Sequence, residues 1–330
     1  MNLKEEILKL KEKLDVTVVA HFYQRDEVFE LADITGDSLE LAKRAMQTKS
    51  KYVLFCGVGF MGESVKVLSP QKRVLMPKVA CCAMARMIDV QYFDENLAIL
   101  NKVGINNDDI LPITYINSSA AVKARVGEMG GMVCTSSNAY KIIEKGLKSG
   151  KKIFFVPDRC LGQNFAKSLN LTSAVVGDGT DLHKADIICY NGFCSVHQLF
   201  TVEDIEFYRE KYPDILIAVH PECDPSICDA ADFVGSTSQL ITFIKELPVE
   251  QKVAVGTEYN MVNRLREKNT YILSSTKPEC PTMNETTLED VYATLKQIEQ
   301  GSDEPYENEI KVDEKTVKYA KLALERMFDV

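Results

Sequence analysis

Val16-Thr17-Val18-Val19-Ala20 running into His21-Phe22-Tyr23, followed at a distance by Gly36-Asp37-Ser38, is the stretch from which the fold can be read. Its first four residues are β-branched and the fifth is small and apolar, so the run predicts a strand buried on both faces, as in a parallel sheet covered by helices. The apolar run stops at an imidazole. A hydroxyl then stands at Ser38, where a helical stretch begins and an N-cap is needed. The same succession occurs twice more. Runs ending near Thr114 and Val219 lead into Tyr115-Ile116-Asn117 and His220-Pro221-Glu222, and these are followed by Cys134-Thr135-Ser136 and Gly235-Ser236-Thr237.

A third station, strand into helix, falls at Gly57 to Glu63, Pro157 to Asn164 and Gly256 to Asn263, and beyond each of these helices a strand leads to a cysteine, Cys82, Cys194 or Cys280. The cysteines are spaced more loosely than the other stations, by 112 and 86 residues, as loops vary more than the elements they join. Three stations in one order predict three αβα lobes with parallel sheets in a pseudo-threefold arrangement. The expected boundaries are 1–101 for the first lobe, joined by the C-terminal 284–330, 102–190 for the second and 191–283 for the third. Ligands of such sheets bind beyond the carboxyl ends of the strands, so three lobes turned inward converge on one site.

Composition narrows what the site can be. At 330 residues with 45% hydrophobic content, each lobe can bury a core, and the net charge of -9 with acids and bases intermixed argues against nucleic acid as a partner. No apolar run reaches the roughly 20 residues that span a bilayer, and Lys4, Glu5 and Glu6 stand where a signal peptide would turn apolar, so a soluble cytoplasmic protein is expected. In that compartment the ten cysteines read as free thiols or metal ligands. Cys56, Cys134 and Cys189, at strand ends, suit the core. With Cys82, Cys194 and Cys280 as three thiolates, a 4Fe-4S cluster would keep one iron open to substrate.

His21 and His220 occupy equivalent strand ends, with Tyr23 and Glu222 two residues beyond each, a pairing suited to proton transfer. His197 could orient the loop carrying Cys194, and His183 reads as a surface residue. Ser38, Ser136 and Thr237 at helix starts suit both capping and the binding of a carboxylate or phosphate, since free N–H groups and the helix dipole favour anions there. Gly57-Val58-Gly59-Phe60-Met61-Gly62 matches a dinucleotide fingerprint, but Leu75-Met76-Pro77-Lys78, about 20 residues on, has no acid for a ribose hydroxyl.

These landmarks, with Gln24, Cys56, Phe60-Met61, Ser137-Asn138-Ala139, Val196-His197, Cys223 and Cys280-Pro281, resemble the quinolinate synthase A family from about residue 15 to about residue 290. The resemblance implies a three-lobed α/β enzyme with one central 4Fe-4S cluster on Cys82, Cys194 and Cys280. It implies condensation of iminoaspartate with dihydroxyacetone phosphate to quinolinate, with loss of phosphate and water, in de novo NAD synthesis, and an iminoaspartate-producing enzyme as a possible partner. It makes His21, Ser38, Tyr115, Ile116, Asn117, Ser136, His220, Pro221, Glu222 and Thr237 substrate contacts, with Tyr23, Tyr115 and Glu222 in proton transfer. Phe22, Gly59 and Gly62 depart from the family pattern. Thr282 and Met283 stand where some members carry extra cysteines, which argues against a disulfide switch there. The alternative is a non-enzymatic iron-sulfur carrier or sensor, for which a fully ligated, exposed centre would be expected.

Overall fold

The computed structural model describes residues 2–266 and 269–329. In the first lobe α1 (Leu3–Lys13), α2 (Asp26–Phe29), α3 (Ser38–Gln47), α4 (Gly59–Leu68), α5 (Ala83–Arg86) and α6 (Val90–Lys102) accompany the strands β1 (Val16–His21), β2 (Ile34–Gly36), β3 (Tyr52–Cys56) and β4 (Arg73–Leu75). The second lobe holds β5 (Ile110–Tyr115), β6 (Met132–Cys134), β7 (Lys152–Val156), β8 (Ser173–Val175) and β9 (Ile187–Cys189), with α7 (Ala120–Glu128), α8 (Ala139–Leu147) and α9 (Arg159–Ser168). In the third are β10 (Leu216–Val219), β11 (Phe233–Val234), β12 (Val253–Gly256) and β13 (Thr270–Ile272), with α10 (Val202–Lys211), α11 (Pro225–Ala230), α12 (Thr237–Glu246) and α13 (Tyr259–Asn263). Two long helices follow, α14 (Leu288–Gln300) and α15 (Glu314–Arg326).

Every strand pair is parallel. The sheet orders are β2-β1-β3-β4, β6-β5-β7-β9-β8 and β11-β10-β12-β13, one topology used three times, with β8 added at the edge of the second sheet. That extra strand lies between α9 and the segment leading to Cys194, and it accounts for the wide separation of Cys82 from Cys194. Both faces of the sheets are covered. Val19 and Phe55 point into a core continuous with the second lobe, whereas Val18, Ala20 and Leu54 pack with Ile7, Val291 and Leu295 on the opposite side. Alternation along β1 thus feeds two apolar layers, as its uninterrupted β-branched run requires.

α3 and α12 open at Ser38 and Thr237 as expected, but the capping side chains are those of the residues before them. The cap of α3 is Asp37, whose Oδ1 accepts from Leu39 N at 3.1 Å and Glu40 N at 3.0 Å. Ser236 caps α12 in a reciprocal pair with Gln239. Ser136 stands three residues before α8 opens at Ala139. Ser38, Ser136 and Thr237 are therefore not the capping residues, because a better-placed acid or hydroxyl precedes two of them and a turn intervenes at the third. Their hydroxyls are left to the cavity between the lobes. In the glycine-rich stretch, a Cβ on Gly62 would stand 2.7 Å from Met76 Sδ and 3.1 Å from Ile310 Cγ1, so this glycine serves close packing. No helix among the described residues is long and apolar enough to cross a membrane.

Candidate functional site

The carboxyl ends of β1, β5 and β10 bring His21, Tyr115 and His220 to the wall of one cavity. Ser38, Ile116, Asn117, Ser136, Glu222, Thr237 and Tyr23 line the same cavity, as do Cys82, Cys194 and Cys280. Pro221 does not; its carbonyl accepts from Asn164 Nδ2 at 2.8 Å and anchors the turn to α9. His183 is exposed, and Cys56, Cys134 and Cys189 are fully buried in strands.

A chain of polar contacts, hydrogen bonds except for the Glu222–His197 pair, links side chains from all three lobes. Tyr115 donates its hydroxyl proton to Glu222 Oε1 at 2.6 Å, and Glu222 Oε2 lies 2.9 Å from His197 Nδ1. On its far side the His197 ring meets the Thr257 hydroxyl at 3.1 Å, and that hydroxyl also meets Tyr23 Oη at 3.0 Å. Tyr23 Oη is 3.0 Å from Thr237 Oγ1 as well. Stacking of His197 on His220, with centroids 4.7 Å apart, and an edge contact of His21 with Tyr23 at 4.6 Å hold the rings in place.

Burial sets the protonation of these groups. It lowers His21 to about 4 and His220 to about 3, so both imidazoles are neutral near pH 7. Burial, reinforced by the Glu222 charge, raises Tyr23 and Tyr115 well above the ordinary phenol value. Glu222 goes the other way: burial opposes its ionisation, but the neighbouring imidazoles and the Tyr115 hydrogen bond outweigh it and keep the carboxyl low. The cavity therefore offers one carboxylate as acceptor, two phenols as donors and two neutral imidazoles.

The three cysteines are equivalent in the backbone as well as in order. Gly59 N donates to Ala80 O at 2.8 Å, Arg159 N to Gly192 O at 2.9 Å and Tyr259 N to Pro278 O at 2.9 Å. Each acceptor is two residues ahead of its cysteine, so the first turns of α4, α9 and α13 aim three matching segments at one point. Cys81, by contrast, is exposed. Burial pushes the Cys82 thiol up to about 12 and raises Cys194 and Cys280; Cys82 also feels Cys280, and Cys194 feels both of the others. Thiols in such a place ionise when a metal binds them, which fits this donor set to an iron-sulfur centre. Ligand atoms of Cys194, His197 and Glu222 also lie within 4.8 Å of one another, a further set of metal-binding character.

The sequence reading did not single out Asp37 and Glu258, which line the cavity, or Thr257, whose hydroxyl meets His197 and Tyr23. Glu258 caps α13, accepts from Cys280 N at 3.3 Å, and is raised by burial to about 8. A signal for it existed, since Val58, Asp158 and Glu258 recur one hundred residues apart immediately before α4, α9 and α13.

Partly buried thiols and a chain of polar contacts, gathered where three parallel sheets point their carboxyl ends at one cavity, mark an α/β enzyme with a candidate active site between its lobes. The chain belongs to the quinolinate synthetase A protein family, whose model matches residues 5–329. It is 55% identical over 335 residues to the quinolinate synthase of Helicobacter pylori (strain ATCC 700392 / 26695), covering all of this chain and 98% of that protein. The quinolinate synthase of Acidobacterium capsulatum is 38% identical over 350 residues, covering all of this chain and 93% of its own length. That of Streptomyces coelicolor is 39% identical over 340 residues, covering 96% of this chain and 85% of its own.

Proposed function

We propose that this enzyme condenses iminoaspartate with dihydroxyacetone phosphate to quinolinate, releasing phosphate and water, in the de novo synthesis of NAD. The observation that carries the reading is the chain Tyr115–Glu222–His197–Thr257–Tyr23, whose members other than Thr257 line one cavity with the three thiols. Cys82, Cys194 and Cys280 would hold a 4Fe-4S cluster, which when bound supplies an open iron as Lewis acid for dehydration. On this reading Glu222 accepts protons, Tyr23 and Tyr115 donate them, and His21 and His220 orient the substrate while neutral. Ser38, Ser136 and Thr237, beside helix N-termini, receive carboxylate and phosphate, and Ile116 and Asn117 close the wall. The lobe boundaries 1–101, 102–190 and 191–283, a cytoplasmic location and a neighbouring enzyme that makes iminoaspartate belong to the same proposal.

The test is anaerobic turnover with iminoaspartate generated in situ. Glu222→Gln and Tyr23→Phe, both nearly isosteric, should retain iron and lose roughly 100-fold or more in turnover, the usual scale for a positioned acid or base. Wild-type protein that carries iron and sulfide but forms no quinolinate would overturn the assignment.

A further inference from the structure

One carboxylate at the cavity wall is bonded to all three lobes. Asp37 Oδ1 is taken up by the first turn of α3, and this fixes the side chain relative to the first lobe. Its Oδ2 accepts from Ser137 Oγ of the second lobe at 3.0 Å and from Ser238 Oγ of the third at 2.6 Å. Each partner directly follows a lining hydroxyl, Ser136 or Thr237, while Asp37 directly precedes the third, Ser38.

The threefold repeat is broken here in a meaningful way. Asp37 corresponds to Thr135 and Ser236, so only the first lobe carries an acid at this station; Ser137 and Ser238 correspond to Leu39, so only the other two carry a hydroxyl. One acid and two hydroxyl donors satisfy each other across two lobe boundaries. Neither of the donors could serve the other in the same way, since a carboxylate accepts two strong bonds at one oxygen and fixes both donors at once.

We infer that Asp37 is a positioning residue, a tie that aligns Ser38, Ser136 and Thr237 on one anionic ligand by clamping the segments next to them. The inference rests on the proposed use of those hydroxyls for a phosphate or carboxylate, but its first measurement does not. In iron-loaded protein, Ser137→Ala with Ser238→Ala removes both bonds between lobes and keeps the acid and the α3 cap. Amide exchange across residues 135–142 and 236–243 should speed up by roughly tenfold, the effect of losing one net hydrogen bond, with iron content unchanged. Inorganic phosphate, used as the probe, should bind several-fold more weakly, and KM for the phosphate-bearing substrate should rise more than kcat falls. Asp37→Asn, whose amide can cap α3 and meet both hydroxyls, should recover much of what Asp37→Ala loses.

Exchange and phosphate affinity at wild-type levels in the double variant would overturn the tie, as would Asp37→Asn behaving no better than Asp37→Ala. Wild-type protein that fails to bind phosphate while the exchange difference holds would instead remove the proposed ligand class and leave the tie standing.

Discussion

At the scale of single residues, the neighbours Cys81 and Cys82 offer a clean comparison. Only Cys82 lines the cavity, so Cys82→Ala should abolish retention of iron and Cys81→Ala should preserve it, as read by iron and sulfide counts after anaerobic purification. His21 makes a prediction about pH. In the folded chain burial holds it unprotonated down to about pH 4, aided by Arg264 and opposed by Asp37 and Glu222, whereas the ordinary imidazole takes its proton near 6.5. Between those values the unfolded chain binds the extra proton, so stability falls as pH drops from 6.5 to about 4. His21→Gln should remove the share due to His21 and leave that of His220, the stability difference between variant and wild type changing by about 1.4 kcal/mol per pH unit in denaturant titrations. The residues legible in the sequence were those at the ends of strands, where an apolar run stops at a polar group. Thr257 and Glu258 were hidden because hydroxyl and acid at a turn carry an ordinary structural role there, and only the fold reveals that they face Tyr23, His197 and Cys280.

At the scale of elements, strand positions were the most legible, since a β-branched run leaves little choice; the run Val16 to Ala20 falls within β1, which ends one residue later at His21. The capping residues were blurred by adjacent candidates, Asp37 with Ser38 and Ser236 with Thr237, between which periodicity does not decide. The short strand β8 was invisible as such and registered only as excess spacing before Cys194. The last helix gives a prediction of its own. α15 crosses α7 so closely that a Cβ on Gly127 would stand 2.1 Å from Tyr319 O, and Arg326 Nη1 donates to Gly131 O at 2.8 Å. Because the obstacle is backbone, Gly127→Ala cannot be absorbed by a rotamer change and should destabilise by about 1–3 kcal/mol, visible as a lower Tm and easier proteolysis within 313–326.

At the scale of the whole molecule, the threefold succession of stations predicted the architecture, because one topology repeated in one chain leaves a regular trace in spacing. The C-terminal 284–330 was expected to join the first lobe: α14 packs there against α1, whereas α15 packs on α7 of the second lobe as well as on α4, because the apolar face of an amphipathic helix does not name its partner. A titration probes the assembled site. On the proposed function, adding quinolinate to anaerobic, iron-loaded protein should perturb the absorption spectrum, since a cluster held by three thiolates would leave an iron free to take the ligand. An insensitive spectrum together with a fourth protein ligand would favour a carrier-like centre. The docking of α15 also bears on how the chain is made. The groove beside Gly127 and Gly131 is finished by a helix whose Arg326 is 195 residues further along the chain than Gly131. At roughly 5–20 residues per second on the ribosome, that face stays uncovered for about 10–40 s while the third lobe is being synthesised, an interval in which nascent chains can pair wrongly or attract a chaperone.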